Sequence, residues 1–160
     1  MSNKRKYTEQ EAYIRLSALC ASGEHCCYDI HKKMKNWELP EGAEERIVER
    51  LAKEKFIDEN RFAKAFVRDK FRYNRWGKIR IQQELRLRQI PQRIIDEALE
   101  EIESDDNLST LAEIINKKRP SVKGKNEYEI KGKLIRFALG RGFSMDDITK
   151  VIGNIDNADY

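Results

Sequence analysis

Residues 81–102, IQQELRLRQIPQRIIDEALEEI, decide the fold because their apolar pattern returns 53 residues later in residues 134–155, LIRFALGRGFSMDDITKVIGNI. The apolar residues in each stretch lie three to five positions apart, which is typical of two amphipathic helices joined by a turn. The matched pairs are Ile81 and Leu134, Leu85 and Ala138, Ile90 and Phe143, Ile95 and Ile148, Leu99 and Ile152, and Ile102 and Ile155. Two helices and their turn are therefore predicted to occur twice.

The same frame fits the beginning of the chain at an offset of 51 residues. The matched pairs are Ile30 and Ile81, Met34 and Leu85, Leu39 and Ile90, and Pro40 and Pro91. After Pro40 the frame slips by three residues, to Ile47 and Leu51, which predicts an inserted loop around Glu41–Gly42. The third copy has Ser144 where the other two have proline.

Each copy is preceded by one more helical segment, at residues 8–21, 58–73 and 105–118. A unit of about fifty residues that occurs three times usually forms stacked supersecondary structures. The sequence therefore predicts an all-α protein of three tandem three-helix repeats, helix-turn-helix-like units in an elongated, curved array. The predicted repeats are residues 1–56, 57–104 and 105–160.

Local signals place the helix ends. Asp58 and Ser144 have the side chains of N-caps, and Pro91 suits the first turn of a helix, where its missing N–H is not needed. The Gly140–Gly142 stretch is too short to cradle a nucleotide, and we expect it to end a helix. Residues 119–126, RPSVKGKN, are predicted to form a flexible connection.

Composition excludes several classes of protein. Charged residues make up 38% of the chain, and no apolar run is long enough to span a bilayer or to form a signal peptide, so we expect a soluble, cytoplasmic protein with no membrane partner. The three cysteines, Cys20, Cys26 and Cys27, match no standard zinc spacing with His25 and His31, and we expect reduced thiols and no metal or cofactor. Without a phosphate loop, an HExxH helix or a nucleophile elbow, we expect no enzymatic activity.

Positive charge is concentrated in two blocks, although the net charge is only +4. Residues 64–93 contain ten Lys or Arg and two acids, and residues 117–141 contain nine bases and two acids. The stretch between them, residues 94–116, contains eight acids and no base. The first block lacks the compensating i,i+4 carboxylates of an ordinary solvated helix. It is therefore the first candidate for a binding surface.

Within the first block, five bases share one helix face opposite Phe62, Phe66 and Val67 and form a cationic stripe: Arg61, Lys64, Arg68, Arg72 and Arg75. On the next helix, Lys78, Arg86 and Arg93 fall near one line. Three aromatics, Phe71, Tyr73 and Trp76, lie among these bases. This composition suits phosphate contact with base stacking, and it equally suits an acidic protein groove. Phe71 and Trp76 each also fit simple packing between helices.

Residues 56–90, FIDENRFAKAFVRDKFRYNRWGKIRIQQELRLRQI, resemble the signature of the RecX family. The matching positions are Phe56, Ile57, Asp58, Arg61, Phe62, Ala63, Gly77, Ile81, Glu84, Leu85 and Ile90. The third repeat agrees again at Lys133, Arg136-Phe137 and Arg141-Gly142-Phe143. Gln89 stands where the family usually has glycine, which predicts a helix end without a left-handed glycine cap. The first repeat lacks the usual Glu-Leu and has His31–Met34 there.

The resemblance implies a regulator, without chemistry of its own, that binds RecA–DNA filaments along their groove, and we expect the chain to be a monomer. It would inhibit strand exchange, ATP hydrolysis and co-protease activity in DNA repair, recombination and the SOS response. One alternative is a direct single- or double-stranded DNA-binding protein of helix-turn-helix type, and another is a helical adaptor for a different acidic partner. The predicted partner-binding or DNA-binding residues are Arg61, Lys64, Arg68, Arg72, Tyr73, Arg75, Trp76, Lys78, Arg86, Arg88, Lys133, Arg136 and Arg141.

Overall fold

The computed structural model describes residues 4–158, with side chains described as far as Gly153, and contains nine α-helices over that range. The side chain of Ile155, the last position of the sequence repeat, lies outside the described residues. The helices are α1 (Glu9–Ser22), α2 (Cys27–Met34), α3 (Ala43–Lys53), α4 (Glu59–Arg72), α5 (Lys78–Leu87), α6 (Gln92–Leu99), α7 (Ser104–Lys118), α8 (Glu127–Gly140) and α9 (Met145–Ala158). None of the described helices is long and apolar enough to cross a bilayer.

Three hydrophobic cores follow one another along the chain, each built mainly from three consecutive helices. The first contains Leu16, Ile30 and Leu51, and the second is built around Ile81 and Ile95. The third core surrounds Leu134, Phe143 and Ile148. The predicted all-α repeat fold is confirmed, while the exact repeat boundaries and the curvature of the array stay predictions.

Side-chain caps fix where the helices begin. Asp58 Oδ1 accepts a hydrogen bond from the backbone N–H of Arg61 (3.0 Å), and Ser144 Oγ accepts one from Asp147 N (3.1 Å). These contacts satisfy amide groups that the first helical turn leaves without a partner, so both predicted caps are confirmed. Pro91 lies one position earlier than predicted, because it is itself the N-cap and α6 begins at Gln92.

The end of α5 corrects one prediction. Gln89 adopts a left-handed conformation, with φ of 59°, although it is not glycine. The N–H of Ile90 then bonds the carbonyl of Leu85 (3.1 Å), as Phe143 N bonds the carbonyl of Ala138 (3.3 Å) after Gly142 in the third repeat. The turn therefore has the same geometry in both repeats, and burial of Ile90 stabilises it against the strain at Gln89.

Two short features were not predicted. Residues Arg5–Lys6 (β1) pair in parallel with Trp37–Glu38 (β2), and the Tyr7 ring contacts that of Trp37 edge-on at 4.9 Å. Directly after α7, Arg119–Ser121 form a 3-10 turn, so the first three residues of the segment predicted to be flexible have regular structure.

Candidate binding surface

Three bases of the cationic stripe lie open on α4. Lys64, Arg68 and Arg72 are exposed, while Phe62 and Val67 on the opposite side are buried in the second core. Within the described part of the chain, no hydrogen bond or ion pair engages these three side chains. They are four residues apart, so their charges extend over about 12 Å of helix. Three cations are thus available to a partner on one helix face.

The first base of the stripe has a different role. Arg61 Nε lies 2.6 Å from Glu24 Oε1 in the first repeat, and Arg61 Nη2 donates to the carbonyl of Lys55 (3.0 Å). These contacts occupy the guanidinium and tie the first repeat to the second. Arg61 is therefore a structural residue, and its predicted place in the binding surface is not supported by the geometry.

The last base of the stripe lies beyond the helix. The sequence predicted Arg75 on the face of α4, but α4 ends at Arg72 and Arg75 lies outside it. Arg75 adopts a left-handed conformation with φ of 57°. Its Nη1 lies 3.4 Å from Glu113 Oε2 of the third repeat. Arg75 thus bridges two repeats and is only partly available to a partner.

A cleft of about 380 Å³ opens between the second and third repeats beside the stripe. We call it the interrepeat cleft, and it is lined by Val67, Arg68, Phe71, Arg72, Arg75, Glu101, Ile102, Asp106, Ser109 and Thr110. A second cavity of about 310 Å³ adjoins it at Arg75 and adds the bases Lys117, Lys118 and Arg141. Two of the available cations of α4, Arg68 and Arg72, therefore line a concave surface.

The two aromatics among the predicted binding residues, Tyr73 and Trp76, differ in exposure. Tyr73 follows α4 directly and is 74% exposed. Trp76 packs against the second core, with Arg80 Cζ 4.1 Å and Lys70 Nζ 5.0 Å from its ring. Because the chain's own cations cover Trp76, its predicted role in stacking is not supported, and Tyr73 remains the open aromatic. We define the binding face as Lys64, Arg68, Arg72 and Tyr73.

The predicted residues on α5 and at its C-terminal end also differ in availability. Arg88 donates from Nη1 to Glu84 Oε2 (3.0 Å), faces Asp29 at 3.7 Å and lies over the Phe66 ring, so it is a structural residue rather than an open contact. Arg86 Nε donates to Gln92 Oε1 (2.9 Å). Lys78 is half-buried and makes no ion pair with any described residue.

The predicted bases of the third repeat also have distinct surroundings. Lys133 lies 3.6 Å from Glu129, and Arg141 Nη1 donates to the carbonyl of Asn74 (3.0 Å) in the second repeat. Arg136 is exposed and has no ion-pair partner in the described part of the structure. Only Arg136 of this group is freely available.

A glycine joint holds the second and third repeats together. Gly77 N bonds the carbonyl of Arg141 (2.8 Å), and Ile79 N bonds the carbonyl of Gly142 (3.0 Å). A side chain at Gly77 would lie 2.3 Å from the Gly142 oxygen, and one at Gly142 would lie 2.3 Å from Arg80 Cβ. The sequence showed both glycines only as motif positions. Their contact sets the spacing between the repeats, and with it the interrepeat cleft.

The cysteines are poorly suited to metal binding. Burial raises the pKa of Cys26 and of Cys27 to about 12, and it also raises the pKa of Cys20. The thiols therefore stay protonated near neutral pH, whereas a metal binds the thiolate. Across the described residues, no group of three or more His, Cys, Asp or Glu side chains could hold a metal ion.

Comparison with known proteins decides the family. Residues 58–99 match the family profile of the RecX second three-helix domain, and residues 104–152 match that of the RecX third three-helix domain. A regulatory protein RecX from Chlorobium phaeobacteroides is 31% identical over 147 residues, which cover 92% of this chain and 95% of the relative. This chain belongs to the RecX family. The resemblance of residues 56–90 is thereby confirmed, and the second RecX domain contains the whole binding face.

Other RecX proteins agree with this assignment. The regulatory protein RecX of Clostridium acetobutylicum is 30% identical over 131 residues, which cover 79% of this chain but only 60% of that relative's length. A crystal structure of a regulatory protein RecX superposes with a TM-score of 0.82 at 24% identity, covering 91% of this chain and 73% of that one. The crystal structure of RecX from Lactobacillus salivarius superposes with a TM-score of 0.79 at 18% identity, covering 92% of this chain and 96% of that one. At these identities the two structures establish the fold alone.

Proposed function

We propose that this RecX-family chain regulates RecA by binding RecA–DNA filaments through the binding face and the adjoining interrepeat cleft. The observation that carries the proposal is the set of three exposed cations on α4 that no other described residue engages. On α4 and directly after α5, by contrast, the chain uses Arg61 and Arg88 for its own contacts. Such a surface suits an acidic or phosphate-bearing partner.

Binding alone would be sufficient for regulation. A tandem array of repeats presents an extended contact surface, which can lie along a helical filament and touch more than one protomer. Occlusion of the filament groove would then inhibit ATP hydrolysis and strand exchange. No catalytic group is required of this chain in that mechanism.

Direct binding of DNA through helix-turn-helix geometry is the second candidate. In that geometry the N-terminal residues of the last helix contact base edges in the major groove. Here the first turn of α3 carries Glu44 and Glu45, and the first turn of α9 carries Asp146 and Asp147, and carboxylates at those positions repel phosphates. The first turn of α6 carries no acid and contains the exposed Arg93, so of the three repeats the second fits this geometry best.

The test is charge reversal on the binding face. We expect the variant R68E/R72E to need at least about tenfold more protein for half-inhibition of DNA-dependent ATP hydrolysis by RecA, or about 1.4 kcal/mol of binding. The matched control is K32E/K33E on α2, which makes the same change of charge at two exposed lysines of the first repeat. Unchanged inhibition by a folded R68E/R72E, or equal loss in the control, would refute the assignment of the site.

A further inference from the structure

The two walls of the interrepeat cleft carry opposite charges. Arg68 and Arg72 project from α4 on one side, and Glu101 and Asp106 lie on the other, in the connection to α7 and in its first turn. Between them the apolar residues Val67, Phe71 and Ile102 also line the cleft, and these three pack in or against the second core. The cleft therefore offers positive, negative and apolar contacts within a single volume of about 380 Å³.

The opposite charges do not neutralise each other by direct contact. No ion pair within 4.0 Å joins either arginine to either carboxylate, and none of the four side chains is engaged by another residue of the described chain. Ser109 and Thr110 also line the acidic wall, and Thr110 is only 7% exposed. Their hydroxyls make no hydrogen bond to a described residue, so the cleft contains both unused donors and unused acceptors.

A nucleic-acid backbone suits this arrangement poorly. It brings negative charge at regular intervals, so any phosphate that reached Arg68 and Arg72 would face Glu101 and Asp106 across the cleft. Like charges that line the same cleft repel, and this selects against the wrong partner. A protein segment can supply a carboxylate for the arginines and a donor for the carboxylates. It can also place an apolar side chain against Phe71.

We propose that Glu101 and Asp106 make the interrepeat cleft selective for a protein segment over nucleic acid. The segment would carry an acidic side chain, a basic or amide side chain, and an apolar anchor. The location of this contact rests on the proposed function, but the exclusion of phosphates is a property of the cleft itself and can be tested without RecA.

The experiment compares two pairs of isosteric substitutions that change net charge equally. E101Q/D106N removes the carboxylates of the cleft, and E100Q/E103Q removes two exposed neighbours that do not line it. Fluorescence anisotropy measures binding to a labelled single-stranded oligothymidylate and to a labelled duplex of equal length. Each titration is repeated between about 50 and 200 mM salt.

We expect E101Q/D106N to bind the duplex at least about tenfold more tightly than the wild type. The slope of log affinity against log salt should steepen by about 1.8, as two more phosphates are neutralised. Adding R68A/R72A to that variant should cancel the gain, and E100Q/E103Q should bind like the wild type. No gain, or an equal gain in the control pair, would overturn the proposal. Wild-type duplex binding that R68A/R72A abolishes would also overturn it, because nucleic acid would then be the natural occupant.

Inhibition of RecA by the same variants tests the occupant. We expect E101Q/D106N to inhibit DNA-dependent ATP hydrolysis more weakly than the wild type, because the donor of the segment loses two negatively charged partners, while E100Q/E103Q inhibits normally. Unchanged inhibition by E101Q/D106N would overturn the contact between the segment and the acidic wall. If the wild type itself failed to inhibit RecA, the proposed function would fail, and the measurements on DNA would still decide the selectivity of the cleft.

Discussion

Replacement of Gly142 by alanine tests the joint between the second and third repeats. Gly142 has φ of 97°, and a Cβ there would lie 2.3 Å from Arg80 Cβ and 2.6 Å from Arg80 N. Carbon atoms in contact are about 3.5–4.0 Å apart, so α5 and the turn between α8 and α9 would have to separate by more than about 1 Å. That separation would break the hydrogen bonds of Gly77 N and Ile79 N.

The expected loss follows from these contacts. A left-handed alanine costs about 1 kcal/mol or more, overpacking costs about 1–3 kcal/mol, and two lost hydrogen bonds cost about 1 kcal/mol each. The G142A variant should therefore lose roughly 4–6 kcal/mol of unfolding free energy, measured by urea titration with circular dichroism. Its control is G140A, two residues earlier at the end of α8, where a Cβ meets nothing within 4 Å. A loss below about 1 kcal/mol in G142A, or an equal effect in G140A, would refute the proposed joint.

Three further predictions concern single residues. Y73A should keep its unfolding free energy within about 0.5 kcal/mol of the wild type and inhibit RecA less. W76A should lose about 2–3 kcal/mol of unfolding free energy. A larger loss in Y73A than in W76A, measured by urea titration, would contradict an exposed Tyr73 and a packed Trp76. Q89G should raise the unfolding free energy by up to about 1 kcal/mol because glycine relieves the left-handed strain, and a clear decrease in the urea midpoint would count against it. Burial raises the pKa of Cys26 and Cys27 to about 12, so both should be alkylated slowly in the native protein at pH 8 and faster as the pH rises. Rapid labelling at pH 8 would show that burial does not keep these thiols protonated.

The helical repeat could be predicted because it depends on a periodic signal. Ile81, Leu85 and Ile95 recur in the third repeat at one offset, and all three are fully buried in the second core. The β1–β2 pair could not be predicted in this way, because a strand of two residues has no measurable period. The left-handed Gln89 was missed because its conformation depends on the tertiary packing of Ile90 and not on its own preference.

The binding face was predictable only in part. Helical spacing correctly placed Lys64, Arg68 and Arg72 on the exposed side of α4, opposite buried residues. The same spacing could not show that Arg61 pairs with Glu24, which lies 37 residues earlier in the chain. Long-range partners likewise occupy Arg88 and Arg141. Projection of a sequence onto one helix identifies a face, but it does not show which of its charges the rest of the fold has already used.

Addition of the purified chain to RecA filaments on single-stranded DNA tests the central claim most directly. ATP turnover and filament length are followed together as its concentration rises, with R68E/R72E in parallel. The proposed function predicts that the wild type lowers ATP turnover in a saturable way and that R68E/R72E needs at least about tenfold more protein for the same effect. ATP turnover and filament length that both stay unchanged at saturating wild-type protein would contradict it.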